Sequence, residues 1–74
     1  MSTINRTCLL SHALYPPECV DKAIEEFRSL CEVHKKSSVN ETEIELNVLP
    51  GAPEETPEEF LNFLLSASIE KLLA

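Results

Sequence analysis

Glycine is nearly missing from this chain: Gly51 stands alone among 74 residues. With so short a chain and so little backbone freedom, there is scarcely volume to shape a cleft holding a nucleophile, a base and an oxyanion hole, which argues against a Cys/His hydrolase. Basic residues are scarce too, six Lys and Arg against thirteen Asp and Glu, for a formal net charge of -7. That balance excludes a sequence-independent grip on nucleic acid, which needs a basic footprint, and it opposes adsorption to anionic lipid. The three cysteines, Cys8, Cys19 and Cys31, are an odd number and leave no closed set of disulfides within one chain. No charged, apolar and small-residue series of the secretory type opens the sequence, and no apolar run has bilayer-spanning length. A reducing, cytoplasmic setting is therefore expected. There the glycosylation patterns at Asn5-Arg6-Thr7 and Asn40-Glu41-Thr42 stay idle.

Residues 1-74 make a single domain, because a chain of this length buries only about 60% of its unfolded surface and cannot support a second core. Met1 to Asn5 is polar and expected to fray. Arg6–Leu10 reads as a short strand without clean alternation. Pro16-Pro17 then forces an extended approach to a helix that begins at about Pro17. Its Val20, Ala23, Ile24, Phe27, Leu30 and Cys31 recur at three- and four-residue steps and gather on one side, while Asp21, Lys22, Glu25, Glu26 and Arg28 take the other. Thr42–Leu49 alternates Ile44, Leu46 and Val48 with Glu43, Glu45 and Asn47, the pattern of a half-buried strand. Residues 32–36 are its hairpin partner across the polar interval Ser37–Glu41, with Lys35 and Lys36 blunting an exposed edge. Pro50-Gly51-Ala52-Pro53 breaks the strand.

The last helix, Thr56–Leu73, is expected to open on a capping box of Thr56 and Glu59, with Pro57 at the first helical position. Phe60, Leu61, Phe63, Leu64, Leu65, Ile69, Leu72 and Leu73 follow, more apolar residues than one stripe of a surface helix holds. The order strand, helix, strand, strand, helix predicts an α+β fold: a two-layer β-α-β-β-α sandwich, a small sheet with both helices on one face.

Candidate chemistry is thin. Cys8 with His12 and Cys31 with His34 are two pairs of possible zinc ligands, but neither has Cys-x-x-Cys spacing and a site needs the pairs to converge. Small packed thiols and solvated imidazoles are the alternative. Glu54-Glu55 and Glu58-Glu59 stand where a helix start favours negative charge, which accounts for them without acid/base chemistry. No metal, no cofactor and no catalytic activity are expected. Phe60, Phe63, Leu64 and Leu65 cannot all face one way on a period of 3.6 residues, so a second molecule is expected to cover part of this helix. The partner-binding candidates are Phe60, Asn62, Phe63 and Leu64, where Asn62 either faces water or fixes the docking geometry.

Leu14-Tyr15, then Val20, Ala23, Ile24 and Phe27, the Ile44-Glu45-Leu46 strand, and Glu59-Phe60-Leu61-Asn62 with Leu64-Leu65 together resemble the small HxsD proteins of the His-Xaa-Ser system. The similarity runs from about Leu9 to Leu72, and the Glu-Phe-Leu-Asn segment is its most specific part. Pro16-Pro17, the cysteines and the acidic stretch after Gly51 depart from it. The resemblance implies an accessory protein encoded beside radical SAM enzymes that modify a peptide with His-Xaa-Ser repeats, and it supplies no catalytic residues. The expected function is thus a non-catalytic interaction protein that binds a maturation enzyme or its substrate peptide through a sheet edge or the last helix. The alternatives are a structural homodimer and a small Cys/His metal protein.

Overall fold

The computed structural model describes Asn5–Leu73. Its elements are β1 (Asn5–Ser11), α1 (Pro17–Glu26), β2 (Cys31–Ser37), β3 (Glu41–Val48) and α2 (Thr56–Leu73), the predicted order. The expected fraying of Met1 to Asn5 falls outside the described residues except at Asn5, which opens β1.

The three strands form one antiparallel sheet in the order β1-β3-β2. On β3, Thr42, Ile44, Leu46 and Val48 are buried while Glu41, Glu43, Glu45 and Asn47 face the other way, as a two-residue period requires. The register carries that parity outward. Ile44 pairs with Cys8 on β1 and Lys35 on β2, and Leu46 pairs with Arg6 and Val33. One face of the sheet therefore meets both helices, and the other carries Thr7, Leu9, Glu32, His34, Lys36, Glu43 and Glu45 without helical cover. β1 and β2 run parallel with β3 between them, a split β-α-β unit extended by α2.

The core gathers Leu10, Cys19, Val20, Ala23, Cys31, Ile44, Leu46, Phe60 and Leu64. Phe60 is at its centre, fully enclosed, and meets Phe27 edge-on with ring centroids 5.5 Å apart. Phe27 also meets Phe63 at 5.8 Å, so one ring at the end of α1 fixes the spacing of the two helices.

Two local expectations are corrected. The apolar stripe of α1 does not continue to Cys31: the helix stops at Glu26, and the N–H groups of Leu30 and Cys31 turn back to the Phe27 carbonyl. Cys31 is claimed by the sheet, where it pairs with Val48 and is buried. Nor does Thr56 cap α2. The N–H of Glu59 bonds to the Glu55 carbonyl, so Thr56 is already helical, and its hydroxyl donates backwards to the Pro53 carbonyl at 2.6 Å. Ahead of it, the Ala52 N–H reaches the Leu49 carbonyl at 3.1 Å around Pro50-Gly51, with Gly51 at φ +90°. This is a turn that needs positive φ at its third residue, which only glycine adopts cheaply.

At about 0.05–0.15 kcal/mol per residue, a domain of this size has roughly 4–11 kcal/mol of stability. Phe60→Ala should remove about 3–5 kcal/mol of it, enough to leave the variant partly unfolded in a urea titration at room temperature. Ser68 is buried and its hydroxyl has no hydrogen-bond partner. Ser68→Ala should therefore leave stability unchanged or raise it by up to about 1 kcal/mol, a result opposite in sign to the usual core substitution.

Candidate functional site

The feature of α2 that sets it apart is the distribution of charge around it. Each residue turns the helix by about 100°, which puts Phe60, Leu64 and Ser68 on the sheet side. Phe63 and Ala67 turn toward α1, where Phe63 meets Phe27 and the Ala67 carbonyl accepts from the Cys19 thiol at 3.7 Å. The opposite flank carries Asn62, Leu65, Ile69 and Leu72. Leu65 is 45% exposed, Ile69 48% and Leu72 56%. Between Glu59 and Glu70 the helix contains no charged residue, although its outward side faces solvent. On α1, by contrast, Glu18, Asp21, Lys22, Glu25 and Glu26 are all exposed and the face is wet.

This resolves the partner-binding candidates. Phe60 and Leu64 are fully buried within the protomer, so neither seats a partner's side chain; four residues apart, both point at the sheet, and their size makes them core. Phe63 is half-buried against Phe27, and Asn62 is exposed. The large apolar residues that α2 exposes are instead Leu65, Ile69, Leu72 and Leu73, the first three on the flank away from α1. The sequence signal for this surface is the charge-free interval from residue 60 to 69 rather than side-chain size.

The flank lies on the β1 side of the molecule. Arg6 on β1 pairs with Glu58 on α2 at 2.9 Å, while α1 is tied to β2 by the Lys35–Asp21 pair. The two outer strands differ. β2 carries Glu32, His34, Lys35 and Lys36, and charges of this kind guard an edge. β1 reads Asn-Arg-Thr-Cys-Leu-Leu-Ser, with one charge, no lysine and no proline.

The remaining polar groups are accounted for structurally. The His12 ring spans the Val39 carbonyl at 3.2 Å and the Thr42 hydroxyl at 2.8 Å, pinning the end of β1 to the hairpin. His34 meets Glu32 on the uncovered face at 2.8 Å, whereas Cys31 faces the helices, so that Cys/His pair cannot converge on one ion. Among the described residues no three His, Cys, Asp or Glu side chains are grouped to hold a metal. Burial pushes the Cys31 thiol above its ordinary pKa of 9.0, the wrong direction for a reactive thiolate. A depression of about 400 Å³ between the helices is lined by Glu18, Cys19, Lys22, Ala67, Glu70 and Lys71, and its Lys71–Glu18 pair at 3.5 Å neutralises part of its own charge. No described helix is long and apolar enough to cross a membrane. No family model, curated protein or solved structure matches the chain.

Glu58 has its pKa lowered from 4.5, first by its own main-chain N–H and then by the Arg6 guanidinium. A depressed carboxyl pKa contributes stability above pH 4.5 and loses it as pH falls through the lower folded value. Glu58→Gln should therefore flatten the acid limb of a stability-against-pH curve below about pH 4.5 and leave its slope near neutrality unchanged. An unaltered acid limb would show that the Arg6–Glu58 link carries no weight.

Proposed function

We propose that this protein is a non-catalytic interaction module, working in the cytoplasm, that holds another polypeptide against the β1-side flank of α2. The observation that carries this reading is the charge-free exposed face of α2 in a chain of net charge -7. Depletion of charge with retention of apolar side chains is the compositional mark of an interface core. A helix face with no partner would be expected to carry the acids and lysines that α1 carries. The resemblance to HxsD proteins supports an accessory role, with a radical SAM enzyme or its His-Xaa-Ser peptide as the molecule held.

Isothermal titration against the neighbouring enzyme and against the peptide tests the reading. Binding by the native chain should weaken by about tenfold or more per site in Leu65→Glu and Ile69→Glu, the loss expected where an apolar contact becomes a buried unpaired charge. Both variants should fold, since exposed positions away from the core change stability by only about 0.5 kcal/mol. Glu25→Gln on α1 should bind as the native chain does. Absence of binding to both molecules, or binding indifferent to Leu65 and Ile69, overturns the proposal.

A further inference from the structure

We infer that the occupant of this flank is one extended segment of a partner polypeptide, added beside β1 as a fourth strand; the inference rests on reading the α2 flank as an interface. The first argument is width. Two packed helices with axes 8–10 Å apart, each about 10 Å across, make a layer about 20 Å wide. Three strands at about 4.8 Å spacing make a layer of only about 14 Å, and four make about 19 Å. The helical layer is thus wider than the sheet by roughly one strand.

The second argument is which side the shortfall falls on. The outer side of α1, above β2, mixes Ile24, Cys31, Val33 and Leu49 with the Glu25–Arg28 pair, and the β2 edge below it is guarded by Lys35 and Lys36. On the other side, the β1 side marked by the Arg6–Glu58 pair, Leu65, Ile69 and Leu72 are exposed on α2 with no charge among them. Among the described residues β1 is bonded to β3 alone, and it offers seven residues of edge backbone without guarding lysines or a proline. Main-chain pairing to β1 and side-chain burial under α2 are then available to the same segment, the combination by which strand addition obtains both affinity and selectivity.

Width also decides against a second copy of this chain joined edge to edge through β1. Six strands would span about 29 Å while four helices need about 40 Å, so the two α2 helices would collide before the strands met. The fitting partner chemistry follows from parity. Alternate residues of the segment lie on the α2 side and are apolar, while the others lie on the uncovered face beside Thr7 and Leu9, with Glu45 and Glu43 one strand further in, and are neutral or basic, matching the net charge of -7.

The probe is a capped heptapeptide alternating valine and lysine, titrated into the full chain and followed by NMR. Half-saturation below about 1 mM is expected, with slowed amide exchange across Thr7–Leu10 and shifts in the methyl groups of Leu65, Ile69 and Leu72. A version N-methylated at alternate residues keeps every side chain but loses its main-chain donors, and should bind about tenfold or more weakly. No saturation at millimolar peptide, or equal binding by the methylated version, overturns the strand assignment. If the enzyme or natural peptide still depends on Leu65 and Ile69 while β1 amides stay unprotected, strand addition fails and the interaction reading stands. Loss of that dependence removes both. Sedimentation showing a dimer that protects β1 would put a second copy there and overturn the assignment as well.

Discussion

Everything in this fold depends on Ile44 and Leu46, consecutive inward residues of the middle strand, being sealed from water by Phe60 and Leu64. All four are fully buried. Burying a large aliphatic or aromatic side chain is worth about 1.5–3 kcal/mol, a large share of the stability of a domain this small. Because β3 is central, its parity dictates that of both neighbours, and a slip of one residue would turn Glu43 and Glu45 into the core. The acids on β3 thus serve the fold by making the wrong register prohibitive. They also make the uncovered face of the sheet hydrophilic, so that a single layer of helices suffices.

The same logic explains what could be read from the residues alone. The alternation of Ile44, Leu46 and Val48 with Glu43, Glu45 and Asn47 is unambiguous because both periods, apolar and acidic, agree. The end of α1 was not legible in that way. Leu30 and Cys31 continue its three-and-four spacing, and only pairing of Cys31 with Val48 across the sheet, a contact distant in sequence, decides that the chain turns at Phe27. Thr56 and Glu59 match a capping box in spacing, yet the Pro50–Pro53 turn delivers the chain already helical at Thr56. Two of the four partner candidates, Phe60 and Leu64, prove buried for a related reason: side-chain size marks them as important but not as exposed. Exposure had to be inferred from what the outward positions lack, and the run from Phe60 to Ile69 lacks charge.

The unequal treatment of the two sheet edges is what favours the proposed reading of α2's flank over that of a tolerated patch. An edge strand left open invites association with any extended chain. β2 answers with Glu32, His34, Lys35 and Lys36, and its covering helix answers with Glu25 and Arg28. β1 has only Arg6, and that residue is engaged by Glu58. A protein that guards one edge so thoroughly has the means to guard the other. Leaving β1 plain beneath an apolar overhang has a cost in solubility that the net charge of the rest of the molecule offsets.

That charge also shapes what the open edge admits. At physiological ionic strength the field of exposed acids falls off over about 8 Å, so it is attenuated but still felt across the two strand spacings, about 10 Å, from Glu43 and Glu45 on β3 to a strand on the far side of β1. An acidic segment arriving there meets repulsion before it meets backbone donors, while a basic one is drawn in. In the proposed complex, apolar contact under α2 would then hold what electrostatics has let approach. On the proposed reading the two halves of recognition would fall to different elements, the acids of β3 and the uncharged face of α2, with β1 supplying main-chain groups beside both.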